Sequence, residues 1–280
     1  MTTSTPVTPA LERRHRRYAS DLTNKEWRII RPFLVRSSGP GHPQVLDLRL
    51  IVNSIFYLNR TGCQWRMIPR DFPNWSSIYY HFRKWSRDGT WRRINEALFV
   101  LVRRSVQKEA SPSAAIIDSQ SVKTTEAGGP RGYDAGKQVK GRKRHILVDT
   151  LGLLMMVVIH PANIQDYHGA KLVLAKIKGQ FPRLKRIWAD GIYGGPLVTW
   201  VLATLGVILS IVTRDPGQKG FKVLPKRWIV ERTLGWFGRY RRLSKDYEHD
   251  LHTSEAMVYL ASIRVMLRRL DKQRQVELAA

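Results

Sequence analysis

The sequence predicts an α/β protein: a mixed sheet covered by helices, preceded by an all-helical segment. Three observations carry this. Up to about residue 105, apolar residues recur at helical spacing. After about residue 110, short β-rich runs replace that pattern, the first of them Ala114–Ile117. Beyond residue 160, strand-like and helix-like stretches alternate, as a sheet with covering helices requires.

Each element has a local cause. Thr23 and Glu26 form an S/T-x-x-E capping box ahead of Trp27, Ile30 and Leu34. Gly39, Pro40, Gly41 and Pro43 then make a loop. A second helix is expected after Asp47, with Leu48, Ile51, Val52 and Ile55 on one face and Gly62 ending it. A short helix is expected around residues 65–70. Trp75, Ile78, Tyr79, Phe82 and Trp85 form the stripe of a third helix, with Ser76 as its cap and Gly89 as its stop. Its other face carries Ser77, Tyr80, His81, Arg83, Lys84 and Arg87. That face suits helix-turn-helix DNA binding, or else it is the solvated side of a plain bundle.

In the second part, residues 122–136 read as a glycine-rich loop. "RHILVDT" and "LLMMVVIH" read as a hairpin turning at Asp149 and Gly152. Asp166 is expected to cap the next helix. "LKRIWAD" reads as a fourth strand, Leu197–Leu205 as a helix and Val207–Val212 as a fifth strand. A long amphipathic helix from about Arg227 to Arg242 follows. The succession resembles the ribonuclease H-like fold. The expected organisation is a basic arm over 1–19, a helical DNA-binding domain over 20–105, a catalytic domain over 110–270 and a tail over 271–280.

The 280 residues carry 48 Lys+Arg against 22 Asp+Glu, a net charge of +26. Such an excess calls for a polyanionic partner, nucleic acid first, although charge alone also suits a ribosomal or membrane-surface partner. Cys63 is the only cysteine, so the chain forms no internal disulfide and builds no cysteine zinc site; a reducing cytoplasm fits. The first 20 residues lack the apolar core of a secretory signal. The 17 uncharged residues Leu197–Thr213 are short of a membrane span and interrupted by Gly206 and several Thr and Ser; they read as a buried helix and strand.

Three carboxylates fall at element ends. Asp118 closes the first strand, Asp190 closes the fourth, and Glu231 lies early in the last helix. If the two strands are neighbours, these groups can meet. Carboxylates held together repel, and a hard divalent cation such as Mg²⁺ removes that cost. Two such ions can serve phosphodiester cleavage and joining. Taken singly each acid is ordinary: an Asp after a strand suits a turn and a Glu near a helix start suits the dipole. Asp149, Asp166, Asp134 and Glu126 compete as candidates. Two basic runs, Lys137, Lys140, Arg142, Lys143 and Arg144, and Arg239, Arg241, Arg242 and Lys245, flank the trio in sequence. They are expected to hold DNA phosphates, or to be solvated surface. His145 and His160 read as structural, and most of Trp188, Trp200, Trp228 and Trp236 as packing. No phosphate-cradling glycine motif is present, so no nucleotide cofactor is expected.

Four stretches, "TGCQWRMIPRDFPNWSSIYYHFRKW", "IIDSQSVKTTEAGGPRGYDAGKQVKGRKRHILVDTLGLL", "WADGIYGG" and "RWIVERTLGWFGRYRRLSKDYE", together resemble bacterial insertion-sequence transposases of the insertion sequence five family. The resemblance spans about residues 20–270. It implies an Asp-Asp-Glu triad holding two divalent ions, Mg²⁺ with Mn²⁺ able to substitute; matched by motif, the triad falls on Asp118, Asp190 and Glu231. Arg227 takes the arginine place four residues before the glutamate. Leu224 stands where related transposases carry a tyrosine and Gly238 where they carry a lysine, with Arg239 one residue later. The resemblance further implies binding to the terminal inverted repeats of a mobile element, strand cleavage and strand transfer into target DNA. It also implies a homo-oligomer on DNA, in the bacterial cytoplasm at the nucleoid and away from membranes. A metal-dependent nuclease without joining activity and an inactive DNA-binding regulator stay open as alternatives.

Overall fold

The computed structural model describes residues 17–34, 46–213 and 226–279. Most of the basic arm, the Gly39–Pro43 loop and Leu224 lie outside the described residues. Helix α1 (Asn24–Ile30) starts on the expected capping box: Thr23 Oγ accepts from the Glu26 amide and Glu26 accepts from the Thr23 amide. A 3₁₀ turn (Arg31–Phe33) follows. Helix α2 (Leu48–Thr61) is capped by Asp47 and closed by Gly62 at φ 74°, where a left-handed residue is needed. After a 3₁₀ turn at Trp65–Met67 comes α3 (Trp75–Arg87). Its cap is Asn74 rather than Ser76, because Asn74 Oδ1 takes both the amide and the hydroxyl of Ser76. Only Asp88 and Gly89 separate α3 from α4 (Thr90–Ser105). By contrast, residues 62–74 separate α2 from α3, far more than the three or four of a helix-turn-helix.

The strands are β1 (Ala114–Lys123), β2 (Gly132–Asp134), β3 (Val139–Asp149), β4 (Leu154–Pro161), β5 (Arg186–Ala189) and β6 (Ile208–Ile211). They form one mixed sheet in the order β2-β3-β1-β5-β6. β2 and β4 pair with successive stretches of β3, at Val139–Gly141 and Arg142–Val148. β1 is antiparallel to β3 and parallel to β5, and β5 is parallel to β6. Helix α5 (Asp166–Lys176) and a 3₁₀ turn (Gly191–Tyr193) flank β5, and α6 (Pro196–Leu205) precedes β6. Helix α7 (Trp228–Phe237) lies against β1; a 3₁₀ turn (Arg241–Leu243) and the long α8 (Leu251–Ala279) complete the chain.

Four elements depart from expectation, among them the short β2 within the stretch expected to be a loop. β1 does not stop at Asp118 but runs on to Lys123, because β3 continues to pair with it after β5 has left. The last helix is shorter than expected, ending at Phe237, and α8 extends through the segment expected to be a tail. α8 is buried on nearly every side, through Met257, Val258, Leu260, Ala261, Ile263, Met266 and Leu267. It packs on α2, α3, α4 and β4, so the early helices and the sheet share one hydrophobic core. Buried polar ties cross the same seam: Asn59 Nδ2 donates to Met257 O at 3.1 Å, Asn95 Nδ2 to Leu154 O at 2.9 Å, and Arg264 pairs with Glu26 at 3.0 Å. Among the described residues, no helix is long and apolar enough to cross a membrane.

Candidate active site

The parallel β1–β5 pairing sets the site. Its last registered pair is Ile116 with Trp188, and two residues further along each strand stand Asp118 and Asp190. A step of two keeps both on one face of the sheet. Asp118 accepts from the Ser119 amide at 2.8 Å, and Asp190 caps its 3₁₀ turn by accepting from the Ile192 amide at 3.1 Å. Burial pushes the Asp118 carboxyl up to about 6, and the charge of Asp190 adds to the rise; the Ser119 amide, Arg227 and Lys137 oppose it. The positive charge near Asp118 thus falls short of offsetting its burial.

Helix α7 brings Glu231 to the same face in its first turn. Between them sits Arg227: its Nη2 lies 3.5 Å from Asp190 Oδ2 and 3.6 Å from Glu231 Oε1. Those two oxygens are therefore no more than about 7 Å apart. Among the described residues, no three His, Cys, Asp or Glu side chains are close enough to make a ligand group outright. The donor set nevertheless suits a hard cation. All three groups offer carboxylate oxygens, Asp118 is under-compensated, and Arg227 supplies a positive charge where a cation would lie.

The other face of β1 carries a buried polar network. Ser119 pairs in register with His145 and donates to Asp166 Oδ1 at 2.7 Å. Asp166 is the first residue of α5 rather than its cap, because Ser119 and Lys143, the latter at 3.5 Å, hold its carboxylate. The hydrogen-bond sense follows from one end: Pro161 O can only accept, so His160 Nδ1 donates to it and His160 Nε2 accepts from His145 Nδ1 at 2.8 Å. His145 Nε2 then accepts from the Tyr193 hydroxyl at 3.1 Å. Burial, together with the neighbouring imidazole, holds His145 below the usual histidine range. The network thus ties Ser119, beside Asp118, to Tyr193, three residues past Asp190. Its packing is tight: a Cβ on Gly169 would lie 2.4 Å from both imidazoles. Asp166→Ala should lower folding stability by about 3 kcal/mol in a denaturant titration, because it strips a carboxylate from buried Lys143 and Ser119.

Several expected DNA contacts are overturned by burial. Arg142 is fully buried, with all its contacts internal. Lys143 pairs with Asp134 at 3.3 Å and with Asp166, and Arg144 donates to Leu243 O and Lys245 O. Arg242 is clamped by Glu248 at 2.8 Å and by Cys63 O. These four present no surface to a phosphate. Lys140, Arg239 and Arg241 are exposed. On α3, Tyr80, Lys84 and Arg87 are exposed, while Arg83 pairs with Asp250 at 3.3 Å and His81 packs against Trp85.

Residues 109–266, more than half of the chain, match the model of the transposase DDE domain. The chain belongs to the DDE transposase family. Residues 22–95 also match a model described as an IS4/5-family transposase. A 16.2 kDa protein of insertion element IS402 from Burkholderia cepacia is 29% identical over 114 residues, covering 38% of this chain and 76% of that protein. This transposase is thus an enzyme of DNA cleavage and strand transfer, and its DDE-domain match contains Asp118, Asp190 and Glu231.

Proposed function

We propose that this transposase binds the terminal inverted repeats of an insertion sequence, cuts a strand at each end and joins the freed 3′-hydroxyl to target DNA. The observation that carries the reading is the level placement of Asp118 and Asp190 on neighbouring parallel strands, with Glu231 reached through one guanidinium. Asp118, Asp190 and Glu231 would hold divalent ions, two of Mg²⁺ with Mn²⁺ able to substitute. When bound, these ions supply Lewis-acid stabilisation of charge at phosphorus. Asp118 is kept in place by the Ser119 amide, and Asp190 by its 3₁₀ turn. Arg227 neutralises Asp190 and Glu231 and stands ready to grip a scissile phosphate.

The helical segment, about residues 20–105, is assigned to end recognition. Its contact face is the surface of α3, where Ser76, Tyr79, Tyr80, Arg83, Lys84 and Arg87 line a concavity of about 590 Å³. Lys84→Gln with Arg87→Gln should flatten the dependence of log affinity on log salt by about 1.8 without lowering stability. Lys140, Arg239 and Arg241 extend the contact surface beside the catalytic face. Two ends must be held at once, so the active species is a homo-oligomer on DNA, working at the nucleoid without a nucleotide cofactor. The test is excision of a marked element in cells, parent beside Glu231→Ala. Loss of excision supports the reading, while excision by Glu231→Ala at the parental rate sinks it. In vitro, cut but never joined oligonucleotides would favour a nuclease.

A further inference from the structure

We infer that the solvent face of α7 beyond Glu231, with the adjoining arginines of α8, is a track for the sugar–phosphate backbone of duplex DNA. The inference rests on the strand-transfer reading and names a surface that delivers the duplex to that site. Glu231, Gly235 and Gly238 fall on one face of α7, at helical spacing, and all three are exposed. From Glu231 to the cap at Gly238 the axis rises roughly 10 Å, about three base-pair steps.

Gly235 is a mid-helix glycine that the fold does not explain. A Cβ there would meet nothing within 4 Å, so no internal packing calls for glycine. Its helix propensity is poorer than that of alanine. A bare backbone at an exposed site fits a ligand surface that comes closer than a side chain would allow.

The walls beside it are cationic and planar. The Arg232 guanidinium lies 4.5 Å from the Trp228 ring centre and 4.6 Å from that of Trp236, and Arg269 lies 4.6 Å from Trp236. Burial lowers both guanidinium pKa values, and Arg232 lowers that of Arg269 further. Trp228 is 41% exposed, whereas Trp188 and Trp200 pack against the core as expected. Next to Trp236 opens a cavity of about 530 Å³ lined by Arg60, Arg239, Tyr240, Arg268 and Arg269. Its acids are Glu26, already paired with Arg264, and Asp271. Among the described residues, none of Arg60, Arg232, Arg239, Arg268 and Arg269 makes an ion pair with an acid. Like charges gathered without an ion-paired acid suit a polyanion, and the stacked guanidiniums are held ready to grip it. Duplex DNA is the polyanion this enzyme handles.

The probe is a 30-base-pair duplex of arbitrary sequence, bound by the full-length chain in EDTA across a salt series. Gly235→Ala should bind roughly threefold and Gly235→Leu at least tenfold more weakly, while both melt at or above the parental temperature. Arg268→Gln with Arg269→Gln should reduce the salt slope by about 1.8. Parental affinity and slope in well-folded variants would overturn the track. So would a change of oligomeric state in Gly235→Leu with DNA affinity intact, which would assign the face to a second copy. If the parent binds the duplex along this face but neither cuts nor joins DNA in Mg²⁺, the strand-transfer reading fails while the track stands.

Discussion

Asp118→Asn should reduce strand cleavage about a thousandfold or more and yet give a metal-free protein more stable than the parent at pH 7. The loss of activity follows from removing a charge that faces Asp190 and Arg227. The gain in stability follows from the same position. Folding raises the Asp118 carboxyl from its ordinary 3.8 to about 6, chiefly through burial. Between those values the native state binds the proton more tightly than the unfolded chain. The stability due to this group is therefore complete below about pH 4 and lost as pH rises through 6. At about 1.4 kcal/mol per pH unit, the ionised carboxylate costs on the order of 3 kcal/mol at pH 7. Asparagine keeps the oxygen that accepts from Ser119 and removes the charge.

The measurement is chemical denaturation in chelator, variant beside parent, from pH 4 to pH 8. The difference between the two isolates Asp118 from the buried histidines, whose lowered pKa values push stability the opposite way with pH. The variant's advantage should open between pH 4 and 6 and stay level above. Adding Mg²⁺ should then stabilise the parent and leave the variant unmoved, because only the parent offers the full donor set. A pH-independent difference would mean that Asp118 is solvated in the native state.

What could be read in the sequence was local. The Thr23–Glu26 box, Asp47, Gly62 and the Asp149–Gly152 hairpin each declare themselves within a few residues, and Asp149 accepts from the amides of Leu151 and Leu153 as a turn carboxylate should. The nearness of Asp118 and Asp190 was legible because both close the parallel β1–β5 pairing. That β1 runs on to Lys123 was not, since its later partner is β3. α8 escaped because a helix buried on nearly every side has too narrow a polar face to leave a clear stripe. β2 escaped because it is three residues long and begins with glycine. The largest misreading concerned Arg142, Lys143 and Arg144. A basic run in sequence looks like surface, and only the distant Asp134, Asp166 and Asp246 reveal that it is neutralised inside. Burial holds Arg144 down at about 10, with Asp246 opposing the shift.

Arg142→Ala is accordingly expected to act on the fold and not on the salt dependence of DNA binding. The guanidinium is fully buried, and each of its three nitrogens has an internal acceptor. Nε donates to Pro130 O at 2.8 Å, and Nη2 to His249 O at 2.7 Å. Nη1 donates to Glu248 O at 2.8 Å and Ser254 Oγ at 2.9 Å, and lies 3.2 Å from Asp246 Oδ1. One side chain thus fastens β3 to the glycine-rich loop before β2 and to the start of α8. The fit is close enough that a Cβ on Gly129, at φ 82°, would lie 2.7 Å from Nη2 and 2.0 Å from His249 O. Removing the cation leaves buried Asp246 without its ion-pair partner, hydrogen-bonded only by a hydroxyl and an amide, a loss of about 3–5 kcal/mol. In a chain of this size that corresponds to a fall in melting temperature of roughly 10 °C. Arg142→Lys should recover only part of it, because an ammonium cannot reach three separated carbonyls in one plane. The opposite result, parental stability with a salt slope shallower by about 0.9, would return Arg142 to the DNA surface and contradict its packing.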